Sequence, residues 1–210
     1  MTSNACYDTN VEIKSKVGLM MVKNYKEILY DNETLETERL ILRKAKKSDT
    51  LDMLEYASDE DNIRYLDWTG AKTRDEILLN IIDFCWANPG IWAIEIKETK
   101  KCIGTIHLNV ISEHDKAEFG YVLNREYWNK GYTTEALSAL IRLCFTELDI
   151  NRVEAMHYVG NEGSGRVMQK CGLRFEGIST QARKVKGIFQ DVVRYGMTKD
   201  IWISFQNNLS

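Results

Sequence analysis

The sequence predicts a mixed α/β fold built on one central sheet, and three observations lead to that prediction. Apolar residues alternate with period two in several segments, as in half-buried strands. Apolar residues recur at helical spacing in the segments between them. The resulting order is one strand, two helices, three strands, a helix, a strand, a helix and two strands. A long helix between two strands favours a right-handed crossover, which makes those strands parallel neighbours.

The first half of this pattern begins with an alternating run and two capped helices. Ser48 and Asp49 cap a helix, since both residue types are favoured at that position. The predicted elements are a strand at residues 35–43, a helix with Leu51, Leu54 and Ala57 on its core face, a helix opened by Thr73 and ended at residues 88–90, and strands at residues 91–97, 101–110 and 116–123.

The second half contains the long helix. It begins at Gly131 and presents apolar residues at helical spacing. The remaining predicted elements are a strand at residues 152–159, a helix from Asn161 to about Cys171, and extended runs at residues 173–180 and 187–198. We assign residues 35–205 to one domain and residues 1–34 to an N-terminal extension, which contains a candidate helix at residues 16–29.

Composition and charge exclude several classes of protein. The 210 residues carry a net charge of -3 with a pI near 5.7, which argues against a general nucleic-acid binder. No apolar run reaches the length of a membrane span, so we expect no membrane partner. Five scattered cysteines without a CxxC pair predict a reducing, cytoplasmic location. The three histidines lack the short spacing of zinc ligands, so no metal is expected.

Acidic and basic residues are unevenly distributed along the chain. Residues 31–61 hold ten acids and five bases, whereas residues 166–199 hold eight bases and two acids. Most such runs are solvated faces. The alternative is that the acidic segment faces a cationic acceptor and the basic segment an anionic cofactor.

The start of the long helix is the most informative stretch, YWNKGYTTEA at residues 127–136. A helix that begins on Gly131 and carries no acid before Glu135 leaves several backbone N–H groups without a partner at its positive end. Such a helix start favours an anion, and Gly131 allows a ligand to approach the backbone closely.

Two separated motifs resemble those of a known superfamily. The run EFGYVLNREYWNKGYTTEAL (residues 118–137) is similar to the acetyl-CoA motif of GNAT-type N-acetyltransferases, and NEGSGRVMQKCGLRFEG (residues 161–177) is similar to their second motif. With LETERLILRKAKKSD (residues 35–49) and GIFQDVVRYGM (residues 187–197), the chain most resembles the RimJ/RimL branch, which acetylates ribosomal-protein N-termini. The resemblance covers roughly residues 35–202. It implies a mostly antiparallel sheet of about seven strands, four flanking helices, a splayed parallel strand pair, and acetyl-CoA as acyl donor.

The resemblance also implies which residues bind the donor. Backbone N–H groups from about Lys130 to Thr134 would wrap the pyrophosphate, the strand before them would pair with the pantetheine arm, and Asn161 and Ser164 would lie near the pantetheine and the thioester. Asn129 and Thr133 depart from the usual Gly and Ala or Gly of this pattern. Asn161 and Ser164 are alternatively simple helix caps. The predicted cofactor-binding residues are Tyr121, Val122, Leu123, Trp128, Asn129, Lys130, Gly131, Tyr132, Thr133, Thr134, Asn161 and Ser164.

The predicted catalytic residues are Glu118, Ser164 and His107. Direct transfer needs a deprotonated amine and a proton for the leaving thiolate. The Tyr that many relatives use as acid is replaced by Met168, so Ser164 is the candidate acid. The base of the RimJ/RimL branch falls on Arg183, which cannot accept a proton. Glu118 is then the best local candidate base and His107 the second, although Glu118 is alternatively a solvated carboxylate and His107 a core residue.

The sequence determines the amine acceptor of the predicted reaction less closely than the acyl donor. Tyr65, Trp68 and Trp92 are candidates to line its pocket, although each is also a natural core residue. A protein N-terminal amine and a small cationic amine, such as a polyamine or an aminoglycoside, both fit, and a non-catalytic acyl-CoA sensor is the alternative outside enzymes. The exposed edge strand expected in such a sheet leaves pairing into a homodimer open.

Overall fold

One mixed sheet organises residues 23–208, the part of the chain that this computed structural model describes. Its strands are β1 (Leu35–Glu36), β2 (Leu40–Arg43), β3 (Ile91–Ile96), β4 (Cys102–Ile111), β5 (Lys116–Leu123), β6 (Arg152–Tyr158), β7 (Arg174–Val185) and β8 (Ile188–Thr198). The helices are α1 (Tyr25–Asp31), α2 (Thr50–Ala57), α3 (Arg74–Asn80), α4 (Tyr132–Thr146), α5 (Glu162–Lys170) and α6 (Lys199–Asn207). Within these residues, every helix is too short or too polar to traverse a lipid bilayer.

The strand order is β1-β2-β3-β4-β5-β6-β8-β7, and β5 with β6 is the one parallel pair among the described strands. Helix α4 connects these two strands, so the predicted crossover and the mostly antiparallel sheet are confirmed. The strand count is eight because the predicted strand at residues 35–43 is two strands. Between them the Thr37 hydroxyl accepts the N–H of Leu40 at 3.0 Å, and the Thr37 N–H binds the Leu40 carbonyl at 3.0 Å. This local side-chain bond turns the chain at a point where the alternation of apolar residues alone predicts one continuous strand.

Two helices beyond the predicted four, α1 and α6, flank the sheet. The predicted helix at residues 16–29 overlaps α1, and residues 1–22 lie outside the described part of the chain. Leu29 of α1 is buried in the main core. The division of the chain at residue 35 therefore stays a prediction.

The core face of α2 differs from the predicted one. Met53, Tyr56 and Ala57 are buried, whereas Leu51 is 56% exposed. A single turn of 3-10 helix over Lys47–Asp49 precedes α2. The predicted stripe through Leu51 is therefore wrong, because Leu51 faces solvent.

The sheet is covered on both faces. On one face, α4 and α5 bury a main core that includes Leu137, Leu140 and Ile106. On the other face, α2 and α3 cover a smaller core that includes Tyr56 and Ile77. Helix α3 continues as a π-helical segment, Ile81–Trp86. The four cysteines of the described residues (Cys85, Cys102, Cys144 and Cys171) are buried free thiols.

A buried charge cluster joins β2, β3 and the turn before α2. The Arg43 guanidinium donates to Glu95 at 2.6 Å and to both oxygens of Asp49 at 2.8 and 2.9 Å, and all three residues are less than one-tenth exposed. The fork of the guanidinium satisfies two buried carboxylates, and the more exposed Lys46 ammonium lies 3.9 Å from Glu95.

We therefore expect Arg43→Ala to lower the free energy of unfolding by about 3–5 kcal/mol, because it removes the buried counter-charge that both carboxylates share. Urea unfolding followed by circular dichroism measures the loss. Arg142→Ala, at an exposed position of α4, is the matched control and should change stability by less than about 0.5 kcal/mol. Equal stability of the two variants would contradict the structural role of the cluster.

Candidate active site

Strands β5 and β6 separate part-way along their length. They pair from Lys116 with Arg152 to Phe119 with Ala155, and the ladder between them ends there. Beyond that point β5 continues to pair with β4, and β6 with β8. Residues 120–123 and 156–158 therefore face each other with no ladder bonds between the two strands, and the Tyr158 carbonyl at the open end accepts the Asn161 N–H at 3.0 Å. We call this gap the interstrand slot.

A tight loop leads from the slot into α4. Residues 128–134, here called the donor loop, contain two left-handed conformations, Asn129 with φ +59° and Gly131 with φ +83°. Asn is one of the few residues that tolerate this region, which explains how it stands in place of Gly. The indole of Trp128 donates to the Leu123 carbonyl at 2.8 Å and so fixes the loop to the end of β5.

The first turn of α4 has free N–H groups. Gly131 is its N-cap and no side chain caps the helix. The first bond to the N-cap runs from the Glu135 N–H to the Gly131 carbonyl at 3.0 Å, so the N–H groups of residues 132–134 have no partner within residues 23–208. Three adjacent donors at the positive end of a helix can bind an anionic phosphate group.

The start of α5 lies across the slot from β5. Asn161 is the N-cap, and its side-chain oxygen accepts the Ser164 N–H at 3.4 Å. The Ser164 hydroxyl lies 2.8 Å from the Tyr121 hydroxyl, which also donates to the Ser164 carbonyl at 3.1 Å. Burial raises the pKa of Tyr121, so its hydroxyl stays protonated at neutral pH. Sequence reasoning missed this pair because 43 residues separate its members.

His107 lies beside the vertex of the slot, which is the point where the pairing of β5 with β6 ends. It pairs across β4 and β5 with Gly120, the first residue after the parallel ladder ends. A Cβ on Gly120 would come within 2.2 Å of the His107 ring, so only glycine leaves room for the imidazole. The Phe84 ring meets it edge-on with centroids 6.5 Å apart. Burial lowers the pKa of His107 and favours the neutral imidazole.

The alternation of the sequence predicts that Ile103 and Thr105 share one face of β4 with His107, and for Ile103 this prediction is wrong. The register of β3 with β4 shifts between Ile94 and Glu95, and this bulge turns Ile103 into the main core. Thr105 stays on the His107 side by strand alternation.

Glu118 is on the same strand face as Gly120, two residues before it. Its carboxylate lies 3.6 Å from the Lys116 ammonium, which also binds Glu154 at 2.9 Å. Glu118 is therefore near the vertex but shares a cation with a second carboxylate.

Residues 58–72, here called the acceptor segment, pass over the ends of β6 and the β7–β8 hairpin. The Tyr65 hydroxyl donates to the Gly160 carbonyl at 2.8 Å, and the Lys186 ammonium donates to the Ile63 carbonyl at 3.1 Å. The Asp67 carboxylate accepts the Tyr158 hydroxyl and lies 3.5 Å from Arg183.

The three aromatic residues expected at the acceptor pocket have different environments. Tyr65 is fixed beside Asn161 by its bond to Gly160, and Trp68 lines a cavity of about 530 Å³ with residues such as Glu76. Trp92 is fully buried in the main core, where its indole donates to the Asn32 carbonyl at 3.1 Å. A pocket role for Trp92 is therefore wrong, because the side chain has no exposed surface.

Comparison with known proteins identifies this arrangement. The family model of the acetyltransferase (GNAT) domain matches residues 39–174, from the turn before β2 to the start of β7. The chain belongs to the GNAT acetyltransferase family. The resemblance of the two motifs is thereby confirmed at the level of the family.

Three relatives of this GNAT acetyltransferase indicate the extent of the similarity. It is 35% identical over 173 residues to p20 of Bacillus licheniformis, described as an uncharacterized N-acetyltransferase, covering 80% of this chain and 97% of p20. It is 37% identical over 100 residues to YdaF of Bacillus subtilis, provisionally named a ribosomal N-acetyltransferase, covering 47% of this chain and 55% of YdaF. A solved GNAT acetyltransferase from Bacillus anthracis superposes with a TM-score of 0.73 at 27% identity, covering 80% and 99% of the two chains.

This GNAT acetyltransferase is an acetyl-CoA-dependent N-acetyltransferase that acts on an amine. Its membership among named N-acetyltransferases disfavours the alternative of a non-catalytic sensor. The roles of individual residues stay predictions.

Proposed function

We propose that this enzyme acetylates a primary amine by direct attack in a ternary complex. The diphosphate of acetyl-CoA would bind the free N–H groups of the donor loop, and the pantetheine arm would lie in the interstrand slot as an added strand. The observation that carries this proposal is the continuity of the two features, because the slot opens at the strand end from which the donor loop departs. Holding both substrates together supplies much of the acceleration.

Ser164 is the proposed acid. The amine nitrogen attacks the thioester carbonyl carbon, the C–S bond breaks, and the departing CoA sulfur takes a proton from the Ser164 hydroxyl. Ser164 regains its proton from water, while the Tyr121 hydroxyl, 2.8 Å from the Ser164 hydroxyl, stays protonated and orients that side chain. Met168, at the position of the usual acid, is buried in the main core and has no proton to give.

His107 is the proposed base, with Glu118 as the alternative. The ring of His107 is neutral and accepts no hydrogen bond within the described residues, and it lies beside Gly120 at the vertex of the slot. Glu118 lies two residues away on the same face but is engaged with Lys116. A free imidazole is therefore the better acceptor for the ammonium proton of the substrate.

Ser164→Ala should lower kcat by about 10- to 100-fold and change the dissociation constant of CoA by less than about threefold. The expected reason is that the hydroxyl acts on the leaving sulfur more than on the bound ground state. Steady-state kinetics and calorimetric CoA titration measure the two quantities. Unchanged kcat would remove Ser164 from the mechanism.

For the acceptor, we propose a protein N-terminal amine of the ribosomal-protein type. The partial similarity to YdaF supports this choice. A small cationic amine is the second candidate, because an exposed carboxylate, Asp67, lies in the acceptor segment and another, Glu118, lies near the vertex of the slot. Homodimerisation stays a prediction.

The test is acetylation of a mixed panel with acetyl-CoA, followed by thiol release and mass spectrometry. The panel contains N-terminal peptides of ribosomal proteins, polyamines and an aminoglycoside. Preference for the peptides, at the α-amine, supports the first proposal, and preference for a small amine supports the second. Absence of amine-stimulated thiol release with the whole panel would overturn both.

A further inference from the structure

Arg39, in the turn between β1 and β2, reaches across to the donor loop. Its Nη1 donates to the Lys130 carbonyl at 3.0 Å, and its Nε donates to Glu135 at 2.7 Å. The guanidinium carbon lies 4.5 Å from the centre of the Tyr132 ring. The guanidinium therefore contacts residues on both sides of Gly131.

Glu135 completes this connection. Its Oε1 accepts the Thr37 hydroxyl at 2.6 Å and the Arg39 backbone N–H at 2.7 Å, while its Oε2 accepts the Arg39 side chain. Burial opposes the charge of Glu135, but the donors of Thr37 and Arg39 outweigh it and lower the pKa of the carboxyl. The first acid of α4 is thus ionised and neutralised by Arg39, which leaves the free N–H groups available to an external anion.

One edge of the guanidinium remains available. Nη2 lies 3.3 Å from the position that a Cβ on Gly131 would take, and it makes no hydrogen bond within residues 23–208. A guanidinium stays charged at any working pH, and its N–H groups suit phosphate oxygens.

We propose that Arg39 is a positioning residue for the acyl donor. It holds the left-handed turn of the donor loop in place and directs Nη2 toward the diphosphate of CoA. The inference rests on the proposed function, since it needs the diphosphate to lie on the donor loop.

The test compares two donors, acetyl-CoA and S-acetylpantetheine, which lacks the diphosphate. Arg39→Ala should lower kcat/KM for acetyl-CoA by about 10- to 100-fold, the effect of one lost charge-assisted contact. It should change kcat/KM for S-acetylpantetheine by less than about twofold. Arg39→Lys keeps the charge without the fork of donors, so it should show an intermediate loss with acetyl-CoA and none with the short donor.

Arg142→Ala, at an exposed position of α4, is the control and should behave as wild type with both donors. Thermal melting shows whether each variant is folded. If Arg39→Ala does not fold, the comparison of the two donors is made with Arg39→Lys. Equal losses with both donors, or no loss with either, would overturn the inference for Arg39 alone. A wild-type protein that does not bind CoA would overturn the proposed donor site as well.

Discussion

Gly131→Glu is expected to weaken CoA binding by at least about 100-fold, equivalent to about 2.7 kcal/mol. Gly131 has φ +83°, where a side chain is strained, and its Cβ would lie 3.3 Å from Arg39. The new carboxylate would attract that guanidinium and repel the diphosphate from the free N–H groups of α4. Calorimetric titration of CoA into the folded variant measures the loss.

Gly187→Glu is the matched control for this substitution. Gly187, in the turn between β7 and β8, has φ +87° and open space around its Cβ position. It therefore carries a similar backbone strain and the same charge change without a phosphate site nearby. CoA affinity should be unchanged in Gly187→Glu. If Gly131→Glu binds CoA as tightly as this control, the diphosphate does not lie on the donor loop.

His107→Gln should lower kcat/KM by about 100-fold or more, within the range of general base catalysis. Because burial lowers the pKa of His107 below 6.5, the wild-type rate, calculated on the neutral form of the amine, should rise as pH increases through that lowered pKa. Above it the imidazole is neutral and can accept a proton. The acidic limb of the pH profile should disappear in His107→Gln.

Glu118→Gln provides the comparison for the base. It should keep the acidic limb and lose less than about tenfold in kcat/KM, an effect smaller than that of losing a base. If the limb instead disappears in Glu118→Gln and persists in His107→Gln, the carboxylate is the base. The two variants change groups on the neighbouring strands β4 and β5. A general disturbance of the site would therefore change the pH profiles of both variants alike.

The sequence was most informative where one local pattern determines the structure. The alternation of residues 116–123 and the helical spacing after Gly131 predicted β5 and α4 within one residue at their starts. Both elements bury one face against the same core, so pattern and packing agree. The left-handed Asn129 also agrees with the tolerance of Asn for that region.

Features set by distant residues were not predictable in this way. The turn before α2 contains the buried cluster of Arg43, Asp49 and Glu95, whose members come together only in the folded sheet. The side of Ile103 depends on a bulge between two strands, and an alternation pattern read from one strand cannot reveal it. The Tyr121–Ser164 pair likewise exists only once β5 and α5 meet.

Helix α4 carries the donor loop at its first turn and fills the main core along its length, with Leu137 and Leu140 fully buried. A substitution that shifts that end of the helix would therefore also disturb the packing of the main core. The acceptor segment buries only Asn62, Ile63 and Ala71, and its other side chains are at least partly exposed. Under the proposed function, substitutions that alter donor binding at this helix end would also cost stability, whereas most side chains that face the amine could change without that cost.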